Sequence, residues 1–160
     1  MIRMVDEKDA TEITDIYNHY VLTSTATFEV DTISVQDMKA RIAAITGTYP
    51  WLVLEEDGGV AGYAYASTFR ERAAYHPTVE SSIYFSPSFC GKGGGSRLYA
   101  ALIDEVRTRG FHSLIGVLAL PNPASVALHR KMGFSCCGVL LEAGHKFGAY
   151  VDVAYYQLVL

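Results

Sequence analysis

Apolar residues recur at helical spacing in two N-terminal segments. In DATEITDIYNHYV they lie three or four residues apart, which predicts a helix from about Asp9 to Leu22 after acidic residues able to cap its start. SVQDMKARIAAI shows the same spacing and begins with Ser34, with Asp37 three residues later. Because this pair resembles a capping box, the segment is predicted to be a second helix.

Two further helices are predicted in the second half of the chain. SRLYAALIDEVRTR carries one apolar stripe and stops at Gly110, a residue that readily adopts the conformation that ends helices. NPASVALHRKM opens with Asn122 and Pro123 and ends before Gly133. Asparagine and proline are favoured at a helix start, so this segment is predicted to be a short helix.

Short runs rich in β-branched and aromatic residues predict the strands. WLVLEE and VAGYAYASTF flank Asp57, Gly58 and Gly59, a turn that favours a hairpin. The other predicted strands are TVESSIYFS, SLIGVLAL, FSCCGVLLEA and AYVDVAYYQLVL. Helices and strands interleave without a linker or repeat, so residues 1–160 are expected to form one α/β (α+β) domain, a mixed sheet flanked by helices.

The composition and charge of the chain exclude some classes of function. The chain has 160 residues, 50% of them hydrophobic and 19% charged, and a net charge of −4. Such a chain can bury a core but has no basic field for nucleic acid. Its N-terminus lacks a signal-peptide core, no apolar run is long enough to span a bilayer, and its three cysteines are odd in number. We therefore expect a cytoplasmic protein with neither a nucleic-acid nor a membrane partner.

One carboxylate interrupts an apolar strand. Alternation in TVESSIYF places Glu80 on the face shared by Ser82 and Tyr84, opposite Val79. A glutamate there costs desolvation free energy unless it is exposed or paired. It is therefore either an exposed residue of an edge strand or a functional carboxylate.

A glycine-rich loop, CGKGGGSRLY, precedes the third predicted helix. A P-loop requires Ser or Thr after Gly-Lys, but Gly93 follows Lys92, and Ser96 and Leu98 do not supply the third glycine of a dinucleotide fingerprint. Glycines still allow backbone N–H groups to approach a phosphate, and a helix N-terminus adds partial positive charge. The loop is either a flexible turn or a binding site for a phosphate-bearing cofactor.

Several separated motifs resemble the GNAT superfamily of N-acetyltransferases. The glycine loop before a helix is followed by NPAS and HRKMGF, as in that superfamily's acetyl-CoA site. Within it, IYNHYVLTSTATFE, AYHPTVESSIY, LPNPASVALHRKMGF and HKFGAYVDVAYYQ resemble phosphinothricin acetyltransferases and relatives that acetylate methionine sulfone or sulfoximine. The resemblance spans nearly the whole chain. It implies a GNAT-like, mostly antiparallel sheet, acetyl-CoA as cosubstrate, no metal, and a homodimer.

The resemblance also implies roles for individual residues. Glu80 matches the general base, and His129 stands where many members have a tyrosine that protonates the departing thiolate. The residues expected to bind acetyl-CoA are Ile83, Tyr84, Phe85, Gly91, Lys92, Gly93, Gly94, Gly95, Ser96, Asn122 and Ser125. Those expected to bind the acceptor are Phe28, Arg70, Arg72 and Tyr75. Ordinary structural roles remain open, among them a helix N-cap for Asn122 and a solvated loop for the arginines.

Two departures from the family pattern bear on binding. Cys90 replaces the usual Arg or Gln at the start of the glycine loop, which removes one phosphate contact. Either Lys92 replaces that contact or the affinity for acetyl-CoA is lower. Val151 stands where resistance-type phosphinothricin acetyltransferases have histidine. The aliphatic residue resembles the methionine-derivative branch and favours those acceptors over phosphinothricin.

Two other functional classes remain open. A cysteine at a helix N-terminus can have a lowered pKa, so Cys90 could form a covalent acyl intermediate. Alternatively, the chain could be a non-catalytic sensor that binds acyl-CoA. Glu80 favours catalysis over the sensor, because a sensor needs no base.

Overall fold

The computed structural model describes residues 1–89 and 93–160. Within those ranges the chain forms one seven-stranded sheet in the order β1-β2-β3-β4-β5-β7-β6, together with four α-helices. The strands are β1 (Ile2–Met4), β2 (Trp51–Glu56), β3 (Gly59–Thr68), β4 (Thr78–Phe85), β5 (Ser113–Ala119), β6 (Ser135–Lys146) and β7 (Ala149–Val159). The helices are α1 (Ala10–Thr23), α2 (Val35–Thr46), α3 (Gly94–Thr108) and α4 (Pro123–Lys131).

The sheet is mixed and mostly antiparallel, which confirms the predicted fold class. Only β4 and β5 pair in parallel; every other neighbouring pair in the described sheet is antiparallel. The predicted hairpin joins β2 to β3 through Asp57 and Gly58, both with positive φ (51° and 82°), as a type I′ turn requires. β4 lies between β3 and β5, so the alternative that Glu80 lies on an edge strand is wrong.

Helices cover both faces of the sheet. On one face, α1 buries Ile13 against Tyr63. On the other, α3 buries Leu98 against Val79 of β4. Tyr84 packs with the first cluster, so the predicted alternation along β4 is confirmed.

The two N-terminal helices begin in different ways. Ser34 Oγ accepts a hydrogen bond from Asp37 N–H at 3.0 Å, and the Asp37 carboxylate accepts one from Ser34 N–H at 3.2 Å, which confirms the capping box. The Asp9 side chain makes no cap bond to α1. It accepts two bonds from the Arg3 guanidinium, at 2.8 and 2.9 Å. These bonds anchor β1, a short strand that the sequence pattern did not predict.

The two parallel strands separate at their carboxyl ends. Their pairing stops at Ser81 opposite Gly116, although β4 continues to Phe85 and β5 to Ala119. The strand ends therefore open a wedge in the middle of the sheet. Carboxyl ends of parallel strands are a common place for ligand sites.

Some features are absent from residues 1–89 and 93–160. No helix there is long and apolar enough to cross a membrane. No group of three His, Cys, Asp or Glu side chains in these ranges could hold a metal ion. Cys136 and Cys137 are exposed free thiols on β6.

Candidate active site

A cavity of about 500 Å³ occupies the wedge between β4 and β5. It brings together most of the residues predicted from the sequence. These are Phe28, Glu80, Ile83, Tyr84, Phe85, Gly93, Gly94, Gly95, Asn122, Ser125 and His129. Ser96 lies in the first turn of α3 and is not part of the cavity lining. The predicted site residues Gly91 and Lys92, and Cys90 beside them, lie outside the described residues.

Glu80 lies on β4 between Ser67 of β3 and Ile115 of β5. Its side chain is half-buried in the cavity wall. Burial raises the pKa of the Glu80 carboxyl above its ordinary value, and the charge of Arg70 partly opposes that rise. A carboxylate with a raised pKa is a stronger base, so Glu80 is suited to accept a proton.

The backbone of β4 also faces the cavity. Ser86 N–H donates to Ala61 O at 2.9 Å, and in an antiparallel pair only alternate residues bond the partner strand. Ile83 and Phe85 therefore direct their backbone groups toward β5. Tyr20 OH donates to Phe85 O at 2.7 Å. Ile83 thus presents N–H and C=O groups in the wedge, where an extended amide chain could pair with them.

The glycines at the start of α3 serve different purposes. Gly93 has a φ of 75°, which favours glycine over other residues. A Cβ on Gly94 would lie 2.9 Å from Leu54 Cδ2, so this glycine allows α3 to pack closely on the sheet. A Cβ on Gly95 would lie 3.4 Å from Leu128 Cδ2, an ordinary contact. Protein packing therefore does not require glycine at position 95.

His129 is buried beneath the cavity, with 4% of its surface exposed. Its Nδ1 donates to Ser125 O at 2.8 Å, and its Nε2 accepts from Tyr99 OH at 2.9 Å. Burial lowers the pKa of His129, which favours the neutral ring. A Cβ on Gly116 would lie 2.5 Å from Nε2, so this glycine in β5 makes room for the imidazole.

The predicted acceptor residues lie in two places. Phe28 lines the cavity between β4 and β5, whereas Arg70, Arg72 and Tyr75 line a separate, more open depression on the loop between β3 and β4. These three side chains are exposed. Arg70 still influences Glu80 through its charge, so the depression and the cavity are electrostatically connected.

The cavity-lining residues that sequence reasoning did not assign to the site include two continuous stretches. The first is the loop after α1, which contributes Thr25, Ala26 and Thr27. They belong to the segment IYNHYVLTSTATFE, which resembles the family, but within this loop the resemblance implied a role for Phe28 alone. The second is the end of β5, from Val117 to Ala119. The strand–helix–strand order of β4, α3 and β5 could have indicated it, because such a crossover makes two strands parallel neighbours.

Comparison with known proteins finds similar chains over nearly the whole sequence. The profile of the Acetyltransferase (GNAT) domain matches residues 2–154. A phosphinothricin N-acetyltransferase of Streptomyces viridochromogenes is 40% identical over 98% of this chain and 85% of its own length. An L-methionine sulfoximine/L-methionine sulfone acetyltransferase of Salmonella typhimurium is 38% identical over 99% of this chain and 94% of its own. The crystal structure of a GNAT superfamily phosphinothricin acetyltransferase from Sinorhizobium meliloti, in complex with acetyl-CoA, superposes with a TM-score of 0.97 at 42% identity, covering 100% of this chain and 88% of that one.

Proposed function

The chain belongs to the GNAT acetyltransferase family and is an N-acetyltransferase, and from this premise we propose that it acetylates the α-amine of a small amino acid analogue. The acetyl donor is acetyl-CoA, and the acceptor is of the methionine sulfone, methionine sulfoximine or phosphinothricin type. The position of Glu80 is the main support, because a half-buried carboxylate with a raised pKa lines the cavity. The names of the relatives from Streptomyces viridochromogenes and Salmonella typhimurium support the acceptor class.

The residues of the wedge fit acetyl-CoA. Ile83 offers backbone groups to an amide-containing arm, and the N-terminus of α3 at Gly93–Gly95 offers N–H groups that have no partner within the helix. Asn122 lines the same cavity while its Oδ1 caps α4 through Ser125 N–H at 3.1 Å, so its structural and binding roles are compatible. Acetyl-CoA supplies the activated thioester carbonyl.

Glu80 would prepare the acceptor for attack. An ammonium group has no lone pair, so one proton must leave before nitrogen can act as a nucleophile. Glu80 accepts this proton, directly or through one water, and releases it to solvent. The amine then attacks the thioester carbonyl within a ternary complex; the C–N bond forms and the C–S bond breaks. The second amine proton ends on the departing thiol, which balances the reaction.

His129 is better placed to organise the cavity wall than to deliver a proton. Both ring nitrogens are engaged, and Tyr99 OH in turn lies 2.7 Å from Ser81 Oγ. This chain of contacts joins α4, α3 and β4 beneath the cavity. The role of His129 as the acid for the departing thiolate stays a prediction.

One assay distinguishes the proposed enzyme from a non-catalytic sensor and from a covalent enzyme that uses Cys90. Release of thiol from acetyl-CoA, measured with and without amino acid analogues, separates the three classes. A sensor releases none beyond the uncatalysed background, and a covalent enzyme that uses Cys90 becomes acetylated before any acceptor is added. The proposed enzyme releases thiol only when an acceptor is present.

Acceptor preference tests the proposal further. We expect higher kcat/KM for methionine sulfone and methionine sulfoximine than for phosphinothricin, because the aliphatic residue at position 151 resembles the methionine-derivative branch. Val151 itself is buried and does not line the cavity. Arg72→Ala should lower the preference for these acceptors over a polyamine about tenfold, as loss of a charge-assisted hydrogen bond does. Arg130→Ala, at an exposed arginine on α4, is the control. Equal rates for polyamine and sulfone would contradict the proposed acceptor class.

We also propose that the protein is a homodimer that pairs through β6. This edge strand exposes Val139, Leu140 and Leu141, with 44%, 51% and 78% of their surfaces accessible. Residues 135–141 of β6 carry no charge, so a twofold axis within this stretch would bring no like charges together. In sedimentation velocity we expect a dimer for the unmodified protein and a monomer for Leu141→Glu, with Leu22→Glu on α1 as the control. A monomer at micromolar concentration without substitution would refute this.

A further inference from the structure

Lys146 is a buried lysine that pairs with no carboxylate among the ion pairs of the described residues. It ends β6, and only 4% of its surface is exposed. Its Nζ donates to Ser24 O at 2.7 Å and Thr27 O at 2.8 Å, and Tyr20 O lies at 3.5 Å. All three carbonyls belong to the end of α1 or the loop after it. The ammonium therefore ties that loop to the far end of the sheet.

The loop that Lys146 holds forms one wall of the cavity. Thr25, Ala26, Thr27 and Phe28 all line it. Because the two shortest hydrogen bonds of Lys146 go to the carbonyls of Ser24 and Thr27, on either side of Thr25 and Ala26, they fix the loop at both of its ends. Thr27 is fixed a second time, since its hydroxyl lies 2.8 Å from Tyr17 OH.

Gly144, two residues before Lys146, receives the Phe28 ring. A Cβ at this position would overlap the ring, 2.6 Å from Cε2 and closer still to Cζ. Gly144 pairs with Val151 across β6 and β7, and cross-strand partners lie on the same face of a sheet. The Phe28 ring thus lies over the glycine, beside the position that distinguishes the family's acceptor branches.

We propose that Gly144 and Lys146 of β6 position the loop of residues 24–28, and so determine how the acceptor is held; this rests on the proposed function of the cavity. Gly144 leaves the space that the Phe28 ring occupies. Lys146 holds the backbone of the loop through the carbonyls of Ser24 and Thr27. Three carbonyls around one ammonium suit the partial negative charge at a helix C-terminus. Neither residue lines the cavity, so both act on the acceptor through the loop.

Lys146→Met tests the lysine, since methionine is apolar and of similar length but cannot donate. We expect the acceptor KM to rise about tenfold, as loss of charged hydrogen bonds does. The Kd of acetyl-CoA should stay within about twofold, because the N-terminus of α3 and the Ile83 backbone are untouched. Lys131→Met, at an exposed lysine of α4, is the matched control. Equal effects on both substrates, or none on either, would overturn the role of Lys146.

Gly144→Ala is the second variant and keeps the test valid if Lys146→Met folds poorly. The added methyl displaces the Phe28 ring, which is 42% exposed and can move outward at little cost in stability. We expect a higher acceptor KM and an unchanged melting temperature. An unchanged acceptor KM would refute the role of Gly144.

Amide hydrogen exchange of residues 24–28 provides a readout that is independent of turnover. Faster exchange in Lys146→Met than in Lys131→Met is expected, because the loop loses two backbone anchors. If the unmodified protein turned over no acceptor while exchange still accelerated, the proposed function would be wrong and the loop anchor right. Unchanged exchange would refute the anchor itself.

Discussion

Glu80→Gln is expected to lower kcat by about a hundredfold, the usual cost of removing a general base. Glutamine keeps nearly the same volume, but its amide does not take up the proton that the acceptor ammonium must lose. Binding of acetyl-CoA should be preserved, because the carboxylate lies on the acceptor side of the proposed reaction. Glu105→Gln, on the outer part of α3, is the control and should leave kcat unchanged.

The pH dependence of the same variant identifies the base. Burial raises the pKa of Glu80, so in the unmodified protein kcat/KM should fall as pH drops through that raised value and Glu80 becomes protonated. The Glu80→Gln profile should lack this limb. If the variant matched the unmodified protein at high pH, the base would lie elsewhere or the amine would lose its proton in solution.

The Glu80→Gln substitution should lower activity without lowering the stability of the fold at neutral pH. A carboxyl whose pKa is higher in the folded than in the unfolded state binds more protons when folded, so its contribution to stability falls as pH rises from the unfolded to the folded pKa. At neutral pH the ionised Glu80 is therefore a cost to folding. Glu80→Gln should melt no lower than the unmodified protein at pH 7, a result that would separate loss of the base from loss of the fold.

The turnover of Cys90→Ser distinguishes direct attack by the amine from covalent catalysis. Direct attack requires no thiol, so this variant should keep nearly full turnover. Loss of turnover with cofactor binding preserved, together with an acetylated thiol in the unmodified protein by mass spectrometry, would favour the covalent mechanism.

Local patterns predicted much of the fold. The Ser34 capping box, the Asp57-Gly58 turn and the alternation along β4 each depend on neighbours in sequence, and the structure shows all three. The wedge depends instead on where two strands stop pairing, at Ser81 and Gly116. No residue type marks that point, because it follows from how the helices pack on the sheet.

Site residues could be predicted from the sequence where the residue type is chemically unusual for its surroundings. Glu80 was identifiable because a carboxylate is costly in an apolar strand, and Gly93–Gly95 because glycines cluster there. Thr25–Thr27 were not, since their place depends on Lys146 near the other end of the chain. For His129 the residue type alone suggests an acid. In the structure both ring nitrogens are hydrogen-bonded, to Tyr99 and Ser125. Such partners become visible only when the packing of the fold is known.

Among the glycines that open α3, Gly95 offers the clearest test of cofactor binding. Gly93 is unsuitable, because its φ of 75° makes any side chain strained whether or not a cofactor binds. At Gly95 a methyl would meet Leu128 and Phe85 at 3.4 and 3.8 Å, which the protein tolerates. Both neighbours line the cavity, so the methyl takes up space that the phosphates of acetyl-CoA would need.

Gly95→Ala should therefore bind acetyl-CoA about tenfold more weakly, and Gly95→Val up to about a hundredfold, as backbone N–H groups lose charged hydrogen bonds worth about 1.5–3 kcal/mol. The melting temperature of Gly95→Ala should not fall, since alanine favours a helix by up to about 1 kcal/mol over glycine. Titration calorimetry measures the Kd. Gly47→Ala is the matched control, because a Cβ there meets nothing within 4 Å and lies outside the cavity. An unchanged Kd in both Gly95 variants would mean that this turn of α3 does not hold the phosphates.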